Sequence, residues 1–204
     1  RYCALCHGAD REGYAADHSP SLRSPELMGS APGGYLWSAV TYGRPGTPMA
    51  AFAASQGGPL SHGDQHILMD WLFKKANVQR TPVADVPLVG DATLGAAVYD
   101  THCAECHGAK GEGGTGTALA NPVYLATASD AFIRHSVANG RTGTPMAAFA
   151  ERLSDADIDN VVAFLRSRAV GWEAADPVLA PPPNPAQAVI NPTAPPAKLV
   201  ERKN

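Results

Sequence analysis

No stretch of this sequence approaches the roughly 18 consecutive apolar residues that a membrane-spanning helix requires, and no charged-then-apolar leader opens it. It therefore reads as a soluble chain. An excess of charge is also lacking, since 16 Lys and Arg face 19 Asp and Glu for a net charge of −3. Without a basic field, nucleic acid is excluded as a partner. There is no Ser-His-Asp order, no phosphate-cradling glycine loop and, despite 20 glycines and 18 prolines, no Gly-X-Y period or long low-complexity run. No catalytic residues are therefore named, and no small-molecule substrate is expected. What remains is 204 residues with 45% hydrophobic content, enough for two small domains or one medium one with many turns.

Cysteine is scarce, and all four fall into two Cys-x-x-Cys-His units with none to spare: Cys3-Ala-Leu-Cys6-His7 and Cys103-Ala-Glu-Cys106-His107. This is the pattern of covalent haem attachment. Two thiols three residues apart on a helical turn can form thioethers to both vinyl groups of one porphyrin edge, and the adjacent histidine can then ligate the iron. Zinc binding fits poorly, because the two pairs lie 100 residues apart and zinc gives no reason for a histidine after each. A redox dithiol expects a strand leading into the motif. A disulfide between cysteines so close in sequence is strained and leaves the duplicated histidine unexplained.

A repeat supplies the next residue. Gly46-Thr47-Pro48-Met49-Ala50-Ala51-Phe52-Ala53 recurs letter for letter as Gly143-Thr144-Pro145-Met146-Ala147-Ala148-Phe149-Ala150. Met49 lies 42 residues after His7, and Met146 lies 39 after His107. An isolated methionine is usually core filler. Two in one repeated context, trailing matched motifs, are expected to be axial iron ligands opposite His7 and His107, a soft thioether that favours reduced iron. Met28 and Met69 have no methionine counterpart in the other half.

With these motifs each half resembles a class I cytochrome c domain, and the whole resembles the two-domain dihaem cytochromes c of bacterial electron-transport chains. The resemblance covers residues 1–168. It implies an all-α fold of two tandem domains, each wrapped around one covalent haem c. The expected boundaries are 1–76 for the first domain, 77–91 for a linker, 92–169 for the second domain and 170–204 for an extended Pro-rich tail. In the second half, a helix from Thr93 to His102 is expected to cross a closing helix opened by Ser154 and Asp157, whose stripe is Ile158, Val161, Val162 and Leu165. The first half repeats the closing helix with Ser61 and Asp64 as caps and Ile67, Leu68, Trp71 and Leu72 as the expected buried face. Its opening helix is missing, since only Arg1 and Tyr2 precede Cys3, and the residues upstream are expected to have been removed or left out.

Arg44 and Arg141 follow the glycines expected to stop a second helix in each half, Gly43 and Gly140. Their planar donor forks suit haem propionates, and a solvent-facing role at a helix end is the plainer alternative. Ser19-Pro20-Ser21-Leu22 and Gly116-Thr117-Ala118-Leu119 lie where the family has a turn whose carbonyl receives the proximal imidazole N–H. Losing the proline in the second copy predicts a looser turn there. His18, His62, His66, His102 and His135 are expected to be surface or supporting residues. The linker carries Pro82 and Pro87 and is expected to be stiff, holding the domains side by side. The tail is expected to be free or to dock along a partner. The resemblance implies an exported electron carrier, in the periplasm or on the outer membrane face, passing single electrons between redox partner proteins. A subunit role in a membrane complex fits as well. A dihaem enzyme of the peroxidase or thiosulfate-oxidising kind is the alternative.

Overall fold

The computed structural model describes residues 2–173 apart from 15, 17, 82, 85 and 87, with side chains through residue 168. Of the expected extended tail, residues 170–173 are helical instead, and the rest, like the linker prolines Pro82 and Pro87, lies outside the described residues. Among the described residues the fold is helical, with no strand beyond a single bridge between Ala53 and Leu60. No helix there is long and apolar enough to cross a membrane.

The first half runs α1 (Ala4–His7), α2 (Pro25–Ser30), α3 (Tyr35–Tyr42), a 3-10 turn (Ala54–Gln56) and α4 (His62–Ala76). The second runs α5 (Ala92–His102), α6 (Ala104–His107), α7 (Pro122–Thr127), α8 (Asp130–Asn139) and α9 (Asp155–Glu173). Local chemistry sets these limits. Ser61 and Asp64 close a reciprocal capping box on α4, and Ser154 and Asp157 make the same bonds at the start of α9. Short α2 and α7 each begin with proline at the first position after a polar cap, Ser24 or Asn121. Gly43 and Gly140 end α3 and α8 at φ 68° and 65°, where an added Cβ would lie 2.5 Å from the Met49 carbonyl oxygen and 2.6 Å from that of Met146.

In the second half α5 crosses α9 at Gly95, whose missing side chain lets the Asn160 carbonyl approach. Tyr99, 1% exposed, packs its ring 5.0 Å from that of Phe164 and donates its hydroxyl to the Gly108 carbonyl at 2.8 Å. Ile158, Val161, Val162 and Leu165 are all buried, as the periodicity predicts. The matching face of α4 is a correction. Leu72 is buried and Leu68 half-buried, but Ile67 is 70% and Trp71 44% exposed, and the buried stripe is instead Gln65, Met69 and Leu72. The physical reason is the partner: α9 has α5 across it, whereas Trp71 is met by the Arg11 guanidinium, 5.5 Å from its ring centroid. Gln65 is tolerated inside because Thr41 donates to its side-chain carbonyl at 2.8 Å.

The two halves share one core. Leu27, Met28, Leu36, Met69 and Leu72 of the first belong to the same cluster as Tyr124, Phe132, Ile133, Val161 and Leu165 of the second. They meet through a local two-fold relation, because α2 packs on α8 while α3 packs on α7, and these are counterpart helices. Tyr35 and Phe132, counterparts themselves, lie 5.0 Å apart with Tyr124 6.1 Å from Tyr35. On one flank Asn121 donates to the Pro45 carbonyl at 2.8 Å. On the other, Glu26 accepts from the Thr142 amide at 2.9 Å and from its hydroxyl.

Glu26 should make the contact between the halves sensitive to acid. Its partial burial pushes the carboxyl up, but the bonds from Ser24 and Thr142 outweigh this and hold it near 2, against an ordinary 4.5. A depressed carboxyl contributes stability that is present above the ordinary value and lost as pH falls from 4.5 towards 2. Glu26→Gln should therefore lower unfolding free energy at neutral pH by about 1 kcal/mol, discounted for its partial exposure to water. Urea melts of both proteins down the acid range should show the difference shrinking. A difference that stays constant to pH 2 would remove Glu26 as the cause.

The same carbonyl cluster is capped in both halves, by arginines from unrelated positions. Arg166 on α9 donates to the Leu125 and Ala128 carbonyls and pairs with Asp130. Its counterpart on α4 is Phe73, and Arg80 from the linker instead lies 4.4 Å over the Phe73 ring and donates to the Ala31 carbonyl at 2.6 Å. With the Thr81 amide bonded to the Gly29 carbonyl at 2.9 Å, the start of the linker is fastened to the first half.

Candidate functional site

Each Cys-x-x-Cys-His unit folds as one helical turn, α1 or α6, closed by a bond from the histidine amide to the first cysteine's carbonyl at 2.8 Å for His7 and 3.0 Å for His107. All four thiols are free. That turn leads the histidine inward, where His7 and His107 are 8% and 9% exposed. Burial, with the neighbouring Cys106 second, pushes the Cys103 thiol up to about 11.

The rings are oriented alike. His7 Nδ1 lies 2.8 Å from the Pro20 carbonyl and His107 Nδ1 lies 2.7 Å from that of Thr117. A carbonyl only accepts, so each Nδ1 carries a proton, which leaves Nε2 as the ring atom that could ligate a metal. Burial pushes the His107 imidazole below its ordinary value, opposed by the Thr117 bond. These are the two carbonyls expected from the turn motifs. The second turn is shorter and is tied down rather than loose, since the Gly116 amide donates to the Cys106 carbonyl at 2.7 Å and the Gly114 amide to the Gly116 carbonyl at 3.1 Å. A Cβ at Gly116 would stand 2.8 Å from the His107 ring, so the close approach of backbone to imidazole there requires glycine.

The methionine loops are nearly superimposable in their bonding. Arg44 and Arg141 donate their amides to the Met49 and Met146 carbonyls at 2.7 and 2.9 Å. Thr47 and Thr144 each donate their hydroxyl to the arginine carbonyl, at 2.7 and 2.8 Å, and each hydroxyl receives the methionine amide at 3.2 Å. Met49 and Met146 remain half-buried, with Met146 against the cluster of Val137, Phe149 and Ile158. The threonine hydroxyls went unread in the sequence, although their place in the repeated octapeptide was the available signal.

The two arginine side chains behave differently. The Arg44 guanidinium lies over Tyr35 at 5.1 Å and Tyr124 at 6.0 Å, and its Nη1 is buried with no acceptor among the described residues. Arg141 lies over Phe132 at 5.3 Å and donates to Ser136 and the Gly140 carbonyl. Neither is a simple solvent-facing helix cap. Of the other histidines, His18 is exposed and His102 packs near Phe149 at 6.3 Å. His135 bonds Asn139.

This donor chemistry fits covalently attached haem: free paired thiols, imidazoles fixed through Nδ1, thioethers on fixed loops, and a buried guanidinium N–H without a protein acceptor. Residues 90–165 match the family model for "Cytochrome C oxidase, cbb3-type, subunit III". The chain is 41% identical over 85 residues to the dihydro-heme d1 dehydrogenase of Pseudomonas aeruginosa, covering 40% of this chain and 17% of that protein. It is 28% identical over 183 residues to the cbb3-type cytochrome c oxidase subunit CcoP of an Azospirillum species, covering 81% of this chain and 58% of that one. It thus spans less than two thirds of either protein. With cytochrome c6 of Thermosynechococcus vestitus it shares 34% identity over 103 residues, 47% of this chain and 84% of the relative. Helices without strands, the attachment turns with their oriented histidines, and a match across most of a cytochrome c6 agree, and the chain belongs to the cytochrome c family, electron-transfer proteins that carry covalently bound haem c.

Proposed function

We propose that this chain is a dihaem electron carrier built from two tandem cytochrome c domains, one in each half. The observation that carries the reading is the duplication of a complete donor set, a histidine with Nδ1 tied to a carbonyl and a methionine held by one repeated hydrogen-bond pattern. When bound, each haem supplies an iron centre that cycles between ferric and ferrous states. Cys3 and Cys6, and Cys103 and Cys106, hold it by thioethers. His7 and His107 offer Nε2, and Met49 and Met146 offer sulfur. Arg44 and Arg141 stand ready for propionate carboxylates, Arg44 through its unpartnered Nη1.

The carbonyls of Pro20 and Thr117 fix the orientation of the two donor histidines. Electrons enter and leave through protein partners, either between soluble donor and acceptor or within a membrane complex, a reading supported by the likeness to CcoP, a subunit of a cbb3-type cytochrome c oxidase. On this reading the protein works outside the cytoplasm, where bacteria attach haem in this way. The dihydro-heme d1 dehydrogenase relative favours a second reading, in which one centre passes electrons to or from a bound substrate.

Haem counting separates one centre from two. Cys3→Ala with Cys6→Ala, and Cys103→Ala with Cys106→Ala, should each lower covalently bound haem from two per chain to one by alkaline pyridine spectroscopy. A wild-type value of one would overturn the dihaem reading. A redox titration then distinguishes carrier from enzyme: two low-spin centres of positive potential support the carrier, and a stable high-spin centre supports the substrate reading.

A further inference from the structure

On the outer side of the first half, where α3 meets α4, His62 and His66 stand one helical turn apart on α4, both exposed. Their ring centroids are 4.6 Å apart with planes at 70°. Trp37 on α3 packs against both, its ring 5.1 Å from His62 and 4.8 Å from His66. The counterpart positions in the second half hold a different device. There Arg134 on α8 bridges Asp155 at 2.6 Å and Asp159 at 2.7 Å on α9, clamping the same two helices. Position for position, Arg134, Asp155 and Asp159 correspond to Trp37, His62 and His66. The second half thus has a cation between two carboxylates, whereas the first has two neutral-capable nitrogen donors with no cation of the protein between them.

We propose that His62 and His66 form a bidentate site for a late first-row divalent cation, with Cu2+ bound most tightly and Ni2+ and Zn2+ more weakly. Imidazole pairs separated by one helical turn converge on a single ion, and their affinity follows the ligand preferences of these metals. The observed spacing suits this. With metal–nitrogen bonds of about 2.0–2.1 Å and a cis angle near 100°, two coordinated imidazoles have centroids about 5 Å apart. The site differs from the haem centres in using neither the attachment turns nor the methionine loops. Among the described residues no third His, Cys, Asp or Glu completes a metal cluster, so water fills the remaining positions. Trp37 limits the rotamers of both rings, which lowers the ordering cost of chelation.

The test is titration of Cu2+ into the haem-loaded ferric protein, without reductant, read by calorimetry and by electron paramagnetic resonance. One tight equivalent with superhyperfine coupling to two nitrogens is expected. His62→Gln and His66→Gln, singly, should each weaken that site by about tenfold or more, since the chelate is reduced to one donor. The double variant should leave only the weak binding of isolated histidines such as His18 and His135. Both positions are exposed, and an unchanged haem absorption spectrum checks the fold of each variant. Equal affinity and an unchanged two-nitrogen signal in the double variant would overturn the proposal, as would the absence of any stoichiometric binding by the wild type.

Discussion

Gly95→Ala is expected to destabilise the second half even though alanine is the better helix former. In an open helix the exchange gains about 1 kcal/mol from propensity and reduced unfolded-state freedom. At Gly95 a Cβ would overlap the Asn160 backbone carbonyl and lie 3.0 Å from the Phe164 Cβ, and backbone at a helix crossing cannot swing aside as a side chain can. The helices must separate, loosening the Tyr99–Phe164 contact and the buried stripe beneath it. We expect a net loss of about 2–3 kcal/mol for Gly95→Ala and more for Gly95→Leu, by overpacking. Gly63 on α4 is the matched control, because a Cβ there meets nothing nearer than the Ser61 hydroxyl at 3.8 Å. Gly63→Ala should be neutral or stabilising by up to about 1 kcal/mol. Denaturant unfolding followed by far-ultraviolet circular dichroism reads both, and a Gly95→Ala midpoint at or above wild type would sink the close-approach argument.

That contrast also marks how far the sequence could be read. Local signals were legible because they are written within a few residues: the Ser61 and Ser154 caps, the helix-stopping Gly43 and Gly140, and the carbonyls of Pro20 and Thr117 that orient the histidines. Ile67 and Trp71 were misread because periodicity reports an apolar stripe without saying what lies across it. In the second half α5 lies there; in the first, Arg11 reaches Trp71 from a loop. The contact between the halves was hidden for the same reason. Tyr35 and Phe132 show as apolar helix positions, but only the fold brings them together across a two-fold relation. Gln65 reads as surface until Thr41 is seen to satisfy it. The capping of α2 by Arg80 where α9 uses Arg166 could not follow from aligning the halves, since the replacing residue comes from the linker.

The four methionines offer the sharpest separation of packing from ligation. Met28 and Met69 are 1% and 9% exposed within the shared core, so Met28→Ala should cost about 2–5 kcal/mol by leaving a cavity, with little change in the haem spectrum. Met49 and Met146 are only half-buried on loops pinned by Thr47 and Thr144, so their truncation removes less packing than truncation of Met28. If they are the distal donors, Met49→Ala and Met146→Ala should each convert one low-spin centre to high spin. Each should also lower its potential by roughly 0.1–0.3 V, within the ~0.8 V range that axial ligands command. The loop can be tested apart from the donor. Thr47→Val or Thr144→Val keeps the sulfur but removes the hydroxyl that bonds both the arginine carbonyl and the methionine amide, and should weaken ligation without abolishing it. The weak absorption band that reports methionine–iron bonding should then fade at a lower temperature than in wild type. Two alanine variants with unchanged spin state and potential would return Met49 and Met146 to the role of packing residues.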